Sequence, residues 1–456
     1  MKNDLPALPV AVIGAGPIGL AAAAHLLERG LRPMVFEAGD GIASHLEDYR
    51  HVQLFSPWRY NIDSAARRLL EGAGWVAPPD DRLPTAGEMV EQYLAPLAAT
   101  APVAASLRLA HRVLGISRDG FDKAKSRGRE DAPFVIRAQA PEGVREFKAW
   151  AVLDASGTWG KQNPLGAHGI PAIGEVELGT RVAYGMPDIL GGQRARYAGR
   201  KVVVAGAGHS AAGNLLALAR LAQAASGTRI VWAIRGHNLA RIFGGGENDG
   251  LAARGALGQR LKQLVESARI EVRMDFRALA IVRRDGALAI EGMSGDAAPC
   301  RVEGVDEIIV STGARPDLSL GSELRLRLDC AIESAEQLAP LIDPNEHSCG
   351  TVRPHGYREL RHPEPNFYVI GAKSYGRAPN FLLATGHEQV RSVVAALAGD
   401  FAAADDVQLD LPETGVCSTQ FEEAASACCS STGTAAISVV APVQSAQACG
   451  GGQCSR

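Results

Sequence analysis

The first 299 residues of this 456-residue chain contain no cysteine. This absence excludes a disulfide framework and a catalytic thiol pair from about two thirds of the chain. Aromatic residues are also scarce, at 5% of the sequence. Most of the eight cysteines instead lie close to the C-terminal end, at Cys417, Cys428, Cys429, Cys449 and Cys454.

Neither positive nor negative charge is in clear excess, because the formal net charge is only −3. A chain without a basic excess is not expected to bind nucleic acid. No apolar run approaches the ~18 residues that a membrane span needs. The N-terminal stretch MKNDLPALPVAVIGAG lacks the cationic flank and cleavage site of a signal peptide. We therefore expect a cytoplasmic protein with reduced thiols and no membrane partner.

A glycine motif follows the first apolar stretch, Val10–Ile13, which is typical of a buried strand. Gly14, Gly16 and Gly19 have the G-x-G-x-x-G spacing, and an Ala/Leu-rich helix is predicted after them. Such a turn lets a pyrophosphate approach the backbone at a helix N-terminus. Glu37 closes the next predicted strand, where a carboxylate binds a ribose diol. The pattern predicts a dinucleotide site.

A second motif repeats the design after the strand predicted at Val202–Ala205. Gly206 and Gly208 occupy the first two glycine positions, and Ala211 the third. Arg235 stands where the first motif has Glu37, and an arginine there suits a 2′-phosphate. The second nucleotide is therefore predicted to be NADPH, with a solvated surface role for Arg235 as the alternative. Two residues would line the phosphate turn, His209 and Ser210.

Three further segments complete a family likeness: Ala151–Pro164, Asp306–Asp317 and Pro365–Leu397. With the two motifs, they make residues 8–400 resemble flavoproteins with two dinucleotide-binding domains. Within these the chain is similar to the FAD/NADPH-dependent monooxygenases, and its overall pattern to the flavin-binding monooxygenases found among bacterial arsenic-resistance genes. The resemblance implies FAD in the first site and NADPH in the second.

The same resemblance implies an α/β fold in which the FAD-binding domain is interrupted by the NADPH-binding domain. The expected ranges are 1–165 and 321–400 for the two FAD-binding parts and 166–320 for the NADPH-binding domain. Residues 401–456 form a Cys-rich tail that we expect to be disordered, because its composition offers little to bury. The charged stretch Asp122–Asp131 is predicted to be a solvated loop.

The sequence differs from the family pattern at two motifs that matter for activity. The monooxygenase fingerprint Phe-x-Gly-x-x-x-His is missing before the second glycine turn. The last FAD turn has Gly371-Ala372-Lys373, where disulfide reductases usually have Gly-Asp. The resemblance still implies NADPH-driven flavin reduction. Molecular oxygen would then add to the reduced flavin, and the flavin peroxide would pass an oxygen atom to a small soft nucleophile, namely nitrogen, sulfur or trivalent arsenic.

Two alternatives remain open. One is an NADPH-driven reductase or disulfide oxidoreductase that uses the tail thiols Cys428 and Cys429. The other is a non-catalytic, flavin-bound sensor or binder of a metalloid. The absence of cysteine before residue 300 favours oxygen as the electron acceptor.

Candidate residues near the flavin follow from the resemblance. Trp58 would cover the ring, although a core position is an equal alternative. Cys349 and His355 would enter the substrate pocket, with ordinary loop packing as the alternative. Gly371 and Lys373 would contact the cofactor at the last turn.

The tail thiols have a chemistry of their own. Cys428, Cys429, Cys449 and Cys454 suit a soft metal ion or arsenite, since thiolate is the soft ligand among side chains. Redox chemistry and an inert tail are the alternatives. A homodimer is expected from the resemblance.

Overall fold

The computed structural model describes residues 7–243, 252–284, 286–347 and 352–409. Its strands are β1 (Val10–Ile13), β2 (Pro33–Phe36), β3 (Leu107–Arg108), β4 (Arg112–Arg118), β5 (Phe134–Ala140), β6 (Gly143–Ala149), β7 (Ala151–Asp154), β8 (Val182–Tyr184), β9 (Lys201–Ala205), β10 (Arg229–Ala233), β11 (Glu271–Arg273), β12 (Arg277–Arg284), β13 (Ala287–Met293), β14 (Pro299–Val305), β15 (Glu307–Val310) and β16 (Phe367–Val369). Its α-helices are α1 (Pro17–Glu28), α2 (Ser44–Glu47), α3 (Trp58–Asn61), α4 (Ser64–Gly72), α5 (Ala86–Met89), α6 (Ala95–Ala99), α7 (Ala101–Ser106), α8 (Arg194–Tyr197), α9 (His209–Ala224), α10 (Ala240–Phe243), α11 (Ala252–Glu266), α12 (Ala339–Ile342), α13 (Tyr357–Leu360), α14 (Leu383–Leu397) and α15 (Phe401–Asp405).

The first sheet has the strand order β16-β7-β1-β2-β3, and all its pairings are parallel. Its central strand β1 is wholly buried, as expected for a strand covered on both faces. Val10 and Val12 face the core beneath α1 and α14, whereas Ala11 and Ile13 face the antiparallel meander β4-β5-β6. The alternation follows from the two-residue period of a strand.

The second sheet repeats this architecture with the order β11-β10-β9-β15-β8, again all parallel. Val202 and Val204 of β9 pack toward α9 and α11. Val203 and Ala205 pack toward the second meander, β12-β13-β14. Strands β1 to β7 and β16 flank this sheet in sequence, so the chain leaves the first sheet, builds the second and returns.

The outgoing and returning segments pair with each other. Gln162 and Ala314 form an antiparallel bridge, and the Asn163 amide donates to the Gly313 carbonyl at 2.9 Å. The Thr312 hydroxyl donates to the carbonyl of Asn163 at 2.7 Å. The two sheets are therefore joined by a two-stranded connection rather than by single strands.

A buried cluster of charged residues connects the first meander, β4-β5-β6, with the segment just before β16. Glu364 accepts hydrogen bonds from Arg118 Nε at 2.8 Å, Arg129 Nη1 at 2.6 Å and the Arg325 amide at 3.0 Å. Burial alone would raise the pKa of Glu364, but these three donors hold it below its usual value. The Arg118 guanidinium also stacks 3.6 Å from the centroid of the Phe134 ring.

This cluster corrects one expectation. The stretch 122–131 is exposed as predicted, except that Arg129 is wholly buried. A run of charged residues does not reveal which residue each charge will pair with. The partner of Arg129 is Glu364, which lies 235 residues away in the sequence. Tertiary pairing therefore decided which of the charges became internal.

The expected α/β class, with Rossmann-like parallel sheets, is confirmed. The expected domain limits at 165, 320 and 400 stay predictions, and the Cys-rich tail beyond 409 lies outside the described residues. Within the described ranges, no helix combines the length and apolar character needed to cross a membrane. The cytoplasmic location also stays a prediction.

The buried cluster makes a stability prediction. Glu364→Gln keeps the side-chain shape but leaves two internal guanidinium groups without their carboxylate, so we expect a loss of about 3–5 kcal/mol in the free energy of unfolding. Urea denaturation measures it. The matched control is Glu146→Gln, which removes an exposed pair with Arg137 and should cost less than about 1 kcal/mol. Equal losses in the two variants would contradict the role of burial.

A buried histidine near the same cluster predicts a pH dependence. His362 is 8% exposed, and burial lowers its pKa from 6.5 to about 4. Between these values the unfolded chain binds a proton at this position that the folded chain does not. The contribution to stability is thus intact above pH 6.5 and is lost as the pH falls toward 4, by roughly 3 kcal/mol in total.

The test is urea denaturation of the wild type and of His362→Asn between pH 7.5 and 4. Asparagine can replace the hydrogen bond that His362 makes with the Arg327 backbone but cannot titrate. We expect a shallower decline of the unfolding free energy with falling pH in the variant. The same slope in both proteins would show that His362 does not carry the effect.

Candidate active site

The first glycine turn lies between β1 and α1, at the carboxyl end of the first sheet. Gly14 has φ +100°, and a Cβ there would lie 2.8 Å from the Ala155 carbonyl oxygen. A Cβ on Gly19 would lie 1.8 Å from the Gly14 carbonyl oxygen. Around Gly16, by contrast, an added Cβ would meet no atom within 4 Å. Gly14 and Gly19 thus serve packing, while Gly16 leaves an opening at the α1 N-terminus that fits a phosphate group.

Glu37 follows β2 and lies against this turn. Its carboxylate accepts hydrogen bonds from the amides of Ala15 and Gly39, both at 2.9 Å, and from the Ser44 hydroxyl at 3.0 Å. The side chain is 7% exposed. The sequence placed Glu37 correctly beside the glycine turn, and its role toward a ribose stays a prediction.

The last turn of the first sheet adds a buried ion pair. Lys373 Nζ lies 2.7 Å from Asp154 Oδ2 and 3.0 Å from Ser156 Oγ. Lys373 and Asp154 are both about nine-tenths or more buried, and they join the carboxyl ends of β16 and β7. Lys373 therefore neutralises an internal carboxylate, and sequence reasoning missed Asp154 as its partner. The strand pattern AVLD, with an acid closing an apolar run, was the available signal.

His355 lies in a buried hydrogen-bond network behind the same turn. Its Nδ1 faces the Arg353 carbonyl at 3.0 Å and must carry the proton, because a carbonyl only accepts. Its Nε2 then accepts from the amide of Gln389 at 2.9 Å. Gln389 in turn accepts from the Gly371 amide at 2.8 Å and donates to Ser374 Oγ at 2.9 Å. Burial lowers the pKa of His355, which favours the neutral form that this network requires.

Trp58 and His355, two of the residues predicted to be catalytic, are both buried. Trp58 is fully buried in the core beneath α1 and α14, and within the described residues its Nε1 makes no hydrogen bond. His355 is 4% exposed. Cys349 lies outside the described residues. Their catalytic roles stay predictions, and the observed contacts of His355 are those of a residue that positions the Gly371 turn.

The second glycine turn has the geometry of the first. Gly206 has φ +129°, and a Cβ there would lie 2.1 Å from the Ser311 carbonyl oxygen, whereas a Cβ on Gly208 would meet no atom within 4 Å. Asn214 on α9 stabilises the turn from behind, because its amide donates to Ser311 Oγ at 3.0 Å and to the Gly185 carbonyl at 2.8 Å. An asparagine inside a helix gave no sequence signal for this role.

Two predicted phosphate-turn residues begin α9. His209 is exposed and packs edge-on against Phe55, with 5.1 Å between the ring centroids. Ser210 is half-buried. Phe55 belongs to the segment between β2 and β3, so this contact packs that segment against the start of α9.

Arg235 lies two residues beyond the end of β10. It is exposed, and its Nη1 donates to the Ala167 carbonyl at 3.3 Å. The guanidinium is therefore available at the carboxyl end of the second sheet, where the sequence predicted a 2′-phosphate.

The predicted thiol site stays a prediction. Cys428, Cys429, Cys449 and Cys454 lie outside the described residues. Of the described cysteines, Cys300 is half-buried and Cys330 is exposed. Among the described side chains, no group of three or more His, Cys, Asp and Glu residues could hold a metal ion.

Comparison with known proteins agrees with this geometry. Residues 12–76 match the family model of the NAD(P)-binding Rossmann-like domain. No curated protein matches the chain. Many solved structures do, including the bacillithiol disulfide reductase of Bacillus cereus, with a TM-score of 0.63 and 18% identity over 86% of this chain and 99% of that one.

Two further similar structures are oxygenating enzymes. The FAD-bound cadaverine monooxygenase DfoA of Erwinia amylovora has a TM-score of 0.62 and 12% identity, covering 91% of this chain and 99% of that one. The ornithine N-hydroxylase of Kutzneria sp. 744, with reduced FAD, NADP+ and L-ornithine, has a TM-score of 0.55 and 16% identity, covering 87% and 98%. The fold is thus shared by disulfide reductases and monooxygenases.

The glycine geometry makes a prediction for the second turn. Gly206→Ala forces a side chain into positive φ and against a backbone carbonyl, so we expect a loss of at least about 2 kcal/mol of stability. Gly208→Ala adds a methyl group to open space at a helix N-cap and should cost less than about 1 kcal/mol. Urea denaturation of both variants measures the difference. Comparable losses would show that the turn is not built as described.

Proposed function

We propose that this protein is an FAD-dependent oxidoreductase that is reduced by NADPH. The observation that carries the proposal is the repeated turn. In both parallel sheets a conformationally required glycine, Gly14 or Gly206, is followed two residues later by a glycine that faces open space, Gly16 or Gly208. A fold with two such turns suits two dinucleotides and a hydride transfer between them.

The residues around the first turn fit FAD. The opening at Gly16 would take the pyrophosphate, and the buried Glu37 lies where the ribose is expected. The turn at Gly371 would complete the site from β16. When bound, FAD supplies the capacity to accept a hydride and to pass electrons to an acceptor.

The residues around the second turn fit NADPH. Gly208 opens the N-terminus of α9 to a pyrophosphate, and His209 and Ser210 supply the first amides of that helix. Arg235 is exposed at the carboxyl end of the sheet and would bind the 2′-phosphate. This residue favours NADPH over NADH.

The protein's own part is to hold the flavin turn rigid. Lys373 and Asp154 fix the ends of β16 and β7, and Gln389 and neutral His355 fix the Gly371 amide. Because these groups are buried and paired, we propose that they position the site. The electron acceptor would then react with little acid–base assistance from these residues.

Oxygen is the acceptor that we favour. No cysteine precedes residue 300, so the usual dithiol beside the flavin is missing from the turns described above. The activity would be monooxygenase-like, toward a small soft nucleophile such as an amine, a sulfur compound or trivalent arsenic. A disulfide acceptor served by Cys428 and Cys429 is the alternative, because the fold is shared with a disulfide reductase.

The first test is the flavin itself. Purified wild-type protein should show the visible absorption of FAD, and NADPH should bleach it in the absence of air. Gly16→Val should fold, as judged by far-UV circular dichroism, but lose the flavin, because its side chain fills the opening. The matched control Gly115→Val also adds a side chain to open space, on β4, and should keep the flavin. A colourless wild type that stays colourless with excess FAD would refute the proposal.

The second measurement separates the acceptors. NADPH oxidation is followed with an amine, a thioether and methylarsenite, in air and without oxygen. Oxygen-dependent product formation supports the monooxygenase. Oxygen-independent reduction of a disulfide probe that disappears in the Cys428→Ser/Cys429→Ser variant would support the reductase instead.

A further inference from the structure

Three arginine side chains converge on one short segment, residues 167–169. Arg235 Nη1 donates to the Ala167 carbonyl at 3.3 Å, and Arg315 Nη2 donates to the Gly169 carbonyl at 2.9 Å. Arg377 Nη2 lies 4.0 Å from the position that a Cβ on Gly169 would occupy. Since three residues span at most about 10 Å of extended chain, the three guanidinium groups lie around one short stretch of backbone.

The arginines come from three separate parts of the chain. Arg235 follows β10 of the second sheet, Arg315 lies on the returning connection after β15, and Arg377 follows the last turn of the first sheet. The segment 167–169 therefore gathers cations from both sheets and from the connection between them. The sequence alone did not predict this arrangement, because Arg235 and Arg377 are 142 positions apart.

The segment is held in place before any ligand binds. Glu175, which is 2% exposed, accepts hydrogen bonds from the Leu165 amide at 2.8 Å and the Ala172 amide at 2.7 Å, so it closes the loop around 167–169. It also accepts from the Tyr184 hydroxyl at 2.6 Å. Arg315 is fixed further by Asn163 Oδ1, which accepts from its Nε at 2.9 Å. A positioned guanidinium loses little entropy when it binds an anion.

The charge of this cluster is not balanced locally. No carboxylate of a described residue lies within 4.0 Å of a guanidinium nitrogen of Arg235, Arg315 or Arg377. Asp275 is near Arg235 along the fold, but its carboxylate faces His237 at 3.9 Å. His168, within the segment, is exposed. Arginine forks without a carboxylate are suited to phosphate.

We propose that Arg235, Arg315 and Arg377 together bind one phosphate group of a small-molecule ligand. This inference rests on the proposed function in one respect, namely that Arg235 binds NADPH. It adds that Arg377, which follows the last turn of the first sheet, binds the same anion. The phosphate could be the 2′-phosphate of NADPH or a phosphate carried by the substrate. Both sources share the chemistry that the cluster recognises.

Calorimetric titration of the full chain tests the site without requiring flavin or turnover. The probes are inorganic phosphate, 2′,5′-ADP and 5′-AMP, at low ionic strength because salt screens exposed charges. We expect Arg377→Gln and Arg235→Gln each to weaken phosphate binding about tenfold or more. Arg377→Lys keeps the charge and should recover part of the loss. Arg137→Gln, an exposed arginine on β5, is the control and should bind as the wild type does.

The probes separate the two sources. Weaker binding of 2′,5′-ADP but not of 5′-AMP in Arg377→Gln, with a raised KM for NADPH and an unchanged KM for NADH, assigns the site to the nucleotide. Weaker binding of inorganic phosphate with unchanged 2′,5′-ADP binding assigns it to a phosphorylated substrate. If a folded Arg377→Gln protein binds all three probes as the wild type does, the cluster is not a phosphate site. If the protein is colourless but still binds phosphate through Arg377, the proposed function is wrong and the phosphate site is supported.

Discussion

The buried pair of Lys373 and Asp154 joins two strand ends that lie 219 residues apart in the chain. Both charges lie in the interior, where an unpaired ion would cost several kcal/mol, so each requires the other. The pair forces β7 and β16 to end side by side, next to the glycine turn of β1. The Gly14 turn packs against the segment that follows Asp154, because a Cβ on Gly14 would lie 2.8 Å from the Ala155 carbonyl oxygen.

A second consequence is that the first sheet contains strands from both ends of the chain, because the second sheet lies between β7 and β16 in sequence. The outgoing and returning segments pair through Asn163, Thr312 and Gly313. Glu364 then ties the returning chain to the first meander through Arg118 and Arg129. The interior ion pairs thus lie at the places where distant segments meet, while the glycine turns lie at the sheet edges that remain open.

The two turns show why one geometry can serve different chemistry. Gly14 and Gly206 are fixed by the backbone of a neighbouring segment, whereas Gly16 and Gly208 leave room for a ligand. The fold is shared by disulfide reductases and monooxygenases, so the sheets do not select the acceptor. Selection depends on which groups reach the site, and here buried, paired side chains surround the last turn. Arg235, Arg315 and Arg377 come from separate parts of the chain and lie around the segment 167–169.

Local pattern in the sequence determined the α/β class, both glycine turns and the acid at Glu37. Each of these depends on the spacing of residues within one strand-turn-helix unit, and such spacing is visible in the chain itself. The strand predicted at Val202–Ala205 is observed as β9, one residue longer at its start.

Only the tertiary structure decided the partners. Lys373 pairs with Asp154, which no local pattern showed, and Trp58 lies in the core. Arg129 was expected in solvent and is buried on Glu364. Arg235, Arg315 and Arg377 have no common motif, yet they meet at one loop. The physical reason is the same in each case. A buried charge or a shared anion site is set by contacts between residues far apart in sequence, and those contacts exist only once the sheets have assembled.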